Sequence, residues 1–158
     1  MKLELDLMRW KDRLSFSNTP DGRYIFCHIR RRFYVSTPEE LVRQLTIQHL
    51  VNVGMYGKGL ISLEKGISVN GLLKRFDIAV YDTSGDPYIL IECKAPTIRL
   101  SQGVFDQVSA YNLKVKAPFL IITNGRHSYC AQIDFKNRTY LMLNELPINT
   151  KFTKEDPS

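Results

Sequence analysis

The sequence predicts an α/β fold, a mixed β-sheet flanked by helices, with an α-β-β-β-α-β core and an N-terminal β-hairpin. Three observations predict it. Two stretches with helical spacing start at good capping residues, Thr37 and Ser101. Three strand-like runs lie between them, punctuated by Gly66 and Asn70-Gly71. A short, wholly apolar run, Phe119 to Thr123, follows the second helical stretch.

With 158 residues, the chain can bury roughly two-thirds of its unfolded surface. One domain over 1–150 and a disordered tail over 151–158 are expected. The hairpin covers residues 24–28 and 33–35, with Arg30, Arg31 and Arg32 exposed at its bend. The first helix runs from Pro38, which suits its first position, to about Val53, and Gly54, Gly57 and Gly59 stop it. Strands follow at 60–69, 73–81 and 88–94. Pro96 ends the last of these, and a second helix runs from Ser101 to about Lys116, with Leu100, Val104, Val108, Tyr111 and Val115 as its apolar stripe. After 119–123, Asn124-Gly125 turns the chain into an antiparallel pair at 128–134 and 139–143.

No apolar run reaches the roughly 18 residues of a membrane span, and the N-terminus has no secretory pattern, so a cytoplasmic location without membrane attachment is expected. Cys27, Cys93 and Cys130 are odd in number and widely spaced, which points to buried free thiols rather than disulfides or a zinc site. Lys and Arg exceed Asp and Glu by 22 to 16, a balance that suits a polyanionic partner such as nucleic acid. Lys74 and Arg75, just before Asp77, are well placed for a backbone phosphate, and Arg30, Arg31 and Arg32 are further candidates. His28, His49 and His127 have no ligand spacing, and Glu64 reads as a solvated strand charge.

The chemistry concentrates on two neighbouring strands. Alternation puts Leu90, Glu92 and Lys94 on one face and Ile89, Ile91 and Cys93 on the other. Asp77 joins the Glu92 face only if paired residue numbers have an odd sum; with Tyr81 opposite Tyr88, Asp77 stands opposite Glu92. Facing carboxylates repel, and more so when partly buried. A divalent cation, a shared proton or Lys94 can each supply the missing positive charge. Asp77, Glu92 and the backbone carbonyl of Cys93 form a hard oxygen set that suits Mg²⁺ or Mn²⁺ rather than zinc. Lys94 would then neutralise developing charge or, with a lowered pKa, take a proton from the attacking water.

These segments resemble the PD-(D/E)xK nuclease superfamily, and most closely the N-terminal nuclease domain of type I restriction enzyme R subunits. The resemblance rests on "TPEELVRQ" (37–44), "RFDIAVYD" (75–82), "ILIECKAP" (89–96), "QVSAY" (107–111) and "IITNG" (121–125). Phe76 departs from the proline in the superfamily's name. The resemblance implies a restriction-endonuclease-like fold and a metal-dependent DNA endonuclease. Asp77 and Glu92 would bind Mg²⁺, with Mn²⁺ as substitute, and Lys94 would assist the water. Glu40 would add a carboxylate, and Gln107 and Tyr111 would line the site. No phosphate loop for ATP is present, so a motor would be a separate partner beside a specificity subunit, or the domain would act as a homodimer. Glu40 also fits a capping box with Thr37, and Tyr111 fits the apolar stripe. The alternative function is a catalytically silent nucleic-acid-binding or assembly module; an ion-pair network without a metal is a further one.

Overall fold

The computed structural model describes residues 3–149, and the expected tail lies outside them. The expected hairpin is present, and one further strand joins it in a small antiparallel sheet: β1 (Phe16–Thr19), β2 (Gly22–Cys27) and β3 (Arg32–Val35). The extra strand was hidden because Phe16-Ser17-Asn18-Thr19 has a single large apolar residue and so no alternating pattern. A 3-10 helix at Leu7–Arg13 precedes it, packing Leu7 and Trp10 against Leu45.

The first helix, α1 (Pro38–Asn52), starts where the Thr37 hydroxyl accepts the Glu40 N–H at 3.0 Å. It ends at Gly54, where an added Cβ would sit 2.8 Å from the Leu50 carbonyl. A six-stranded sheet follows in chain order: β4 (Ile61–Val69), β5 (Leu72–Tyr81), β6 (Pro87–Cys93), β7 (Phe119–Thr123), β8 (Ser128–Asp134) and β9 (Thr139–Leu143). The helix α2 (Gln102–Val115), capped by the Ser101 hydroxyl, carries the chain from β6 to β7. Those two strands are parallel and the other pairs antiparallel, so the sheet is mixed, as expected.

Alternation divides the core into two layers. Ile78, Val80, Ile89 and Ile91 pack with Val42, Ile47 and Leu50 of α1. Ala79, Leu90, Leu120 and Ile122 pack with Phe105 and Val108 of α2. Each fully buried Ile or Leu contributes roughly 1.5–3 kcal/mol, so these layers fix β5 and β6 firmly. Cys27, Cys93 and Cys130 are buried free thiols.

Between β5 and β6 the pairs are Ile78 with Ile91, Ala79 with Leu90 and Val80 with Ile89, an odd sum throughout. Tyr81, however, faces Pro87 rather than Tyr88, because a bulge at Val80/Tyr81 absorbs one residue near the turn. The odd sum holds on the other side of that bulge as far as Ile78, where the pairing ends one residue short of Asp77.

Candidate active site

Asp77 occupies a fork in the sheet. The β5–β6 ladder ends at Ile78–Ile91, and the β4–β5 ladder skips the Glu64/Asp77 position, where Glu64 has φ +50°. Alternation breaks there: Phe76 packs on the α2 side and Ile78 on the α1 side. The aspartate therefore lies at the opening rather than squarely on the Glu92 face. Its Oδ2 accepts the Cys93 N–H at 2.7 Å, and its Oδ1 accepts an Arg43 N–H at 2.8 Å. The first bond satisfies a strand N–H that the ended ladder leaves without a carbonyl.

Glu92 and Asp77 meet at this fork. Burial, and then the Asp77 charge, push the Glu92 carboxyl up to about 7, against the pull of Lys94. Lys94 Nζ lies 3.0 Å from Glu92 Oε1. Burial lowers the Lys94 pKa, but its bond to Glu92 and the charges of Glu92, Asp77 and Glu39 outweigh that and raise it. Its neighbours thus favour the ammonium form of Lys94, the form that suits the neutralising role of the two set out for it. The Cys93 peptide reaches the site through its N–H, while its thiol is buried and held well above the usual range by desolvation.

Glu40 is buried, with its carboxylate bonded to Arg30, Arg43 and Gln44. The capping box is half made: Thr37 caps the helix, but its own N–H goes to the Val35 carbonyl, freeing the Glu40 side chain for the site. Glu40 reaches Asp77 only through Arg43. Arg43 is a residue that sequence reasoning missed, although Glu39, Glu40 and Arg43 have the i, i+3 and i, i+4 spacing that joins side chains on one helix face.

Arg30 also departs from expectation. Its guanidinium is mostly buried, stacks 3.4 Å from the Tyr34 ring centroid, and bonds Glu40 and Glu64. Those bonds commit it to carboxylates and correct its assignment to an exposed phosphate-gripping bend; Arg31 and Arg32 are exposed. Glu64 is likewise ion-paired, 2.9 Å from Arg30, rather than merely solvated.

Lys74, Arg75, Glu92, Lys94, Gln107 and Tyr111 line one open hollow of about 230 Å³. The Lys74 ammonium lies 4.7 Å from the Tyr111 ring centroid, and Gln107 donates to the Tyr111 hydroxyl at 3.4 Å. Bonds to Lys74 and Gln107 hold that hydroxyl below its usual range. Tyr111 serves both readings, with its ring edge-on to Phe76 and its hydroxyl toward the hollow.

In charge terms the fork is acidic. Among the described residues, Glu39, Glu40, Glu64, Asp77 and Glu92 are ion-paired or bonded to Arg30, Arg43 and Lys94, while Lys74 and Arg75 line the hollow on the Glu92 side. The oxygen donors of Asp77 and Glu92 fit a hard divalent cation. Among the described residues, no three His, Cys, Asp or Glu side chains converge as a ready-made metal cage, so water or backbone oxygens would have to complete the coordination.

The mixed sheet, its crossover helix and the acidic fork define an α/β nuclease-like fold, and Asp77, Glu92 and Lys94 conform to the PD-(D/E)xK pattern except at Phe76. The chain belongs to the family described as type I restriction enzyme R protein N terminus, whose model matches residues 38–147. Among solved structures it is similar to a fragment of an HsdR subunit of a type I restriction enzyme from Vibrio vulnificus YJ016, with 20% identity and a TM-score of 0.38. The match covers 60% of this chain and 18% of that one. No curated protein matches the chain. No helix among the described residues is long and apolar enough to cross a membrane.

Proposed function

We propose that this chain is a Mg²⁺-dependent deoxyribonuclease domain that hydrolyses phosphodiester bonds in DNA, with Mn²⁺ as a working substitute. The observation that carries the reading is the meeting of the Asp77 and Glu92 carboxylates at the fork, beside Lys94. Asp77 and Glu92 would hold the metal, with the Cys93 carbonyl as a further oxygen donor. When bound, the cation would acidify a water and neutralise charge on the phosphate.

The protein's own groups supply the rest. Arg43 and the Cys93 N–H fix the Asp77 carboxylate, so it does not need to reorganise during the reaction. The Lys94 ammonium stands where it can stabilise charge developing on a phosphate oxygen, rather than acting as the base. Lys74 and Arg75 offer cations to the sugar-phosphate backbone at the mouth of the hollow, while Gln107 and Tyr111 border the scissile group. The domain works in the cytoplasm, and translocation and sequence choice come from groups outside these residues. A lone site cuts one strand, so a double-strand break needs a homodimer or a second binding event.

One observation favours a second reading, a DNA-binding module without turnover: Arg43 already occupies Asp77 Oδ1. A plasmid assay separates the two. The nuclease converts supercoiled DNA to nicked circles with Mg²⁺ or Mn²⁺ and stops on chelation. Retention of DNA without any cut, under both metals, establishes the silent module instead.

A further inference from the structure

The hairpin of β4 and β5 outruns the rest of the sheet. Its ladder continues to Val69–Leu72, whereas β6 stops pairing with β5 at Ile78. Residues 65–76 therefore form a two-stranded arm, whose end at Leu72 stands roughly 17 Å along the strand from Asp77 at about 3.4 Å per residue. The foot of the arm borders the nuclease-like hollow through Lys74 and Arg75.

The tip of the arm is apolar. Leu72 is 63% exposed and Leu73 64% exposed, and neither belongs to the packed core clusters. Successive strand residues point to opposite faces, so the two leucines flank the tip, one on each side. Leu73 fills the space that Gly66 leaves, since a Cβ there would come within 2.7 Å of its Cδ1. A cation follows each leucine on its own face, Lys74 behind Leu72 and Arg75 behind Leu73.

The charge of the arm has one sign. Residues 65–75 include Lys65, Lys74 and Arg75 and no acid. Lys74 engages the uncharged Tyr111, and among the described residues neither Lys74 nor Arg75 is ion-paired. Uncommitted cations continuous with the hollow suit the phosphates of a duplex, and leucine is a side chain that pries base steps apart once phosphate contacts hold the backbone in place.

We propose that the β4–β5 arm is a DNA wedge: Leu72 and Leu73 insert between base steps of a duplex held at the hollow and unstack them. The choice of DNA rests on the nuclease reading above, while the unstacking is measured without any cut.

Duplexes carrying 2-aminopurine at successive positions, mixed with the whole chain in chelator at low salt, test this. Bound parent protein should raise the 2-aminopurine emission severalfold at neighbouring steps and leave it low elsewhere. Leu72→Ser combined with Leu73→Ser should abolish the rise and weaken duplex binding about tenfold, with the salt slope and melting temperature unchanged because phosphate contacts and core are untouched. Leu72→Met combined with Leu73→Met should keep the rise and the affinity. Duplex binding with flat emission, a rise that survives the serine pair, or a serine pair that changes only the oligomeric state would overturn the proposal. A leucine-dependent rise in a protein that never nicks plasmid would sink the nuclease reading and leave the wedge standing, whereas nicking without any rise would do the reverse.

Discussion

Arg43 donates a 2.8 Å hydrogen bond to Asp77 while its other terminal nitrogen engages Glu40, so one buried guanidinium joins helix to strand. Truncation by Arg43→Ala strands Asp77 without its ion-pair partner, leaves Glu40 with Arg30 alone, and should cost about 3–5 kcal/mol. Urea unfolding measures it. Arg43→Lys should recover only part, because a point charge cannot span both acids. An Ala variant as stable as the parent would show that the fork does not depend on this residue.

Glu92 makes the metal-free protein sensitive to pH. Its carboxyl rises from an ordinary 4.5 to about 7 on folding, so within that window the folded chain binds more protons than the unfolded one. Stability should therefore fall as pH rises through that window, by on the order of 3 kcal/mol. Melts in chelator at about pH 5 and about pH 8 should show the loss, and Glu92→Gln should remove most of it. Added Mg²⁺ should restore stability at the higher pH in the parent but not in the variant.

Lys94→Ala should reduce nicking by about 100-fold or more while leaving DNA affinity within a few-fold. Because Lys94 is already an ammonium, no gain in rate should track its deprotonation. Single-turnover rates and anisotropy on the same preparations check both statements. A variant that cuts normally would remove Lys94 from the chemistry.

Lys74→Gln and Arg75→Gln should each reduce the slope of log affinity against log salt by about 1, uniformly across sequences. Arg30→Gln should act differently and destabilise the fold, since its partners are Glu40 and Glu64. Salt titrations of duplex binding, set beside thermal melts, distinguish the two behaviours.

Local signals revealed most of the framework. Thr37 and Ser101 marked the helix starts, the β5–β6 pairing kept the expected odd sum from Val80 to Ile78, and the apolar 119–123 run read correctly as β7. What escaped was tertiary. Arg43 looks like any polar residue in a helix until Asp77, 34 residues away, arrives beside it. Arg30 sat in a basic triplet that suggested solvent, but Tyr34 and two glutamates draw it inward. The break in alternation at Asp77 was equally hidden, since it arises where two ladders separate rather than from any residue type.

The reach of Arg30 into the acidic fork has a practical corollary for anyone trimming this protein. A fragment cut to the boundaries of the family match, residues 38–147, would discard Arg30, which lies in the turn between β2 and β3 and pairs with Glu40 and Glu64, and would leave Arg43 as their partner among the described residues. Such a minimal piece would carry a more repulsive cluster of acids than the intact chain, and its behaviour with metals would misrepresent the parent.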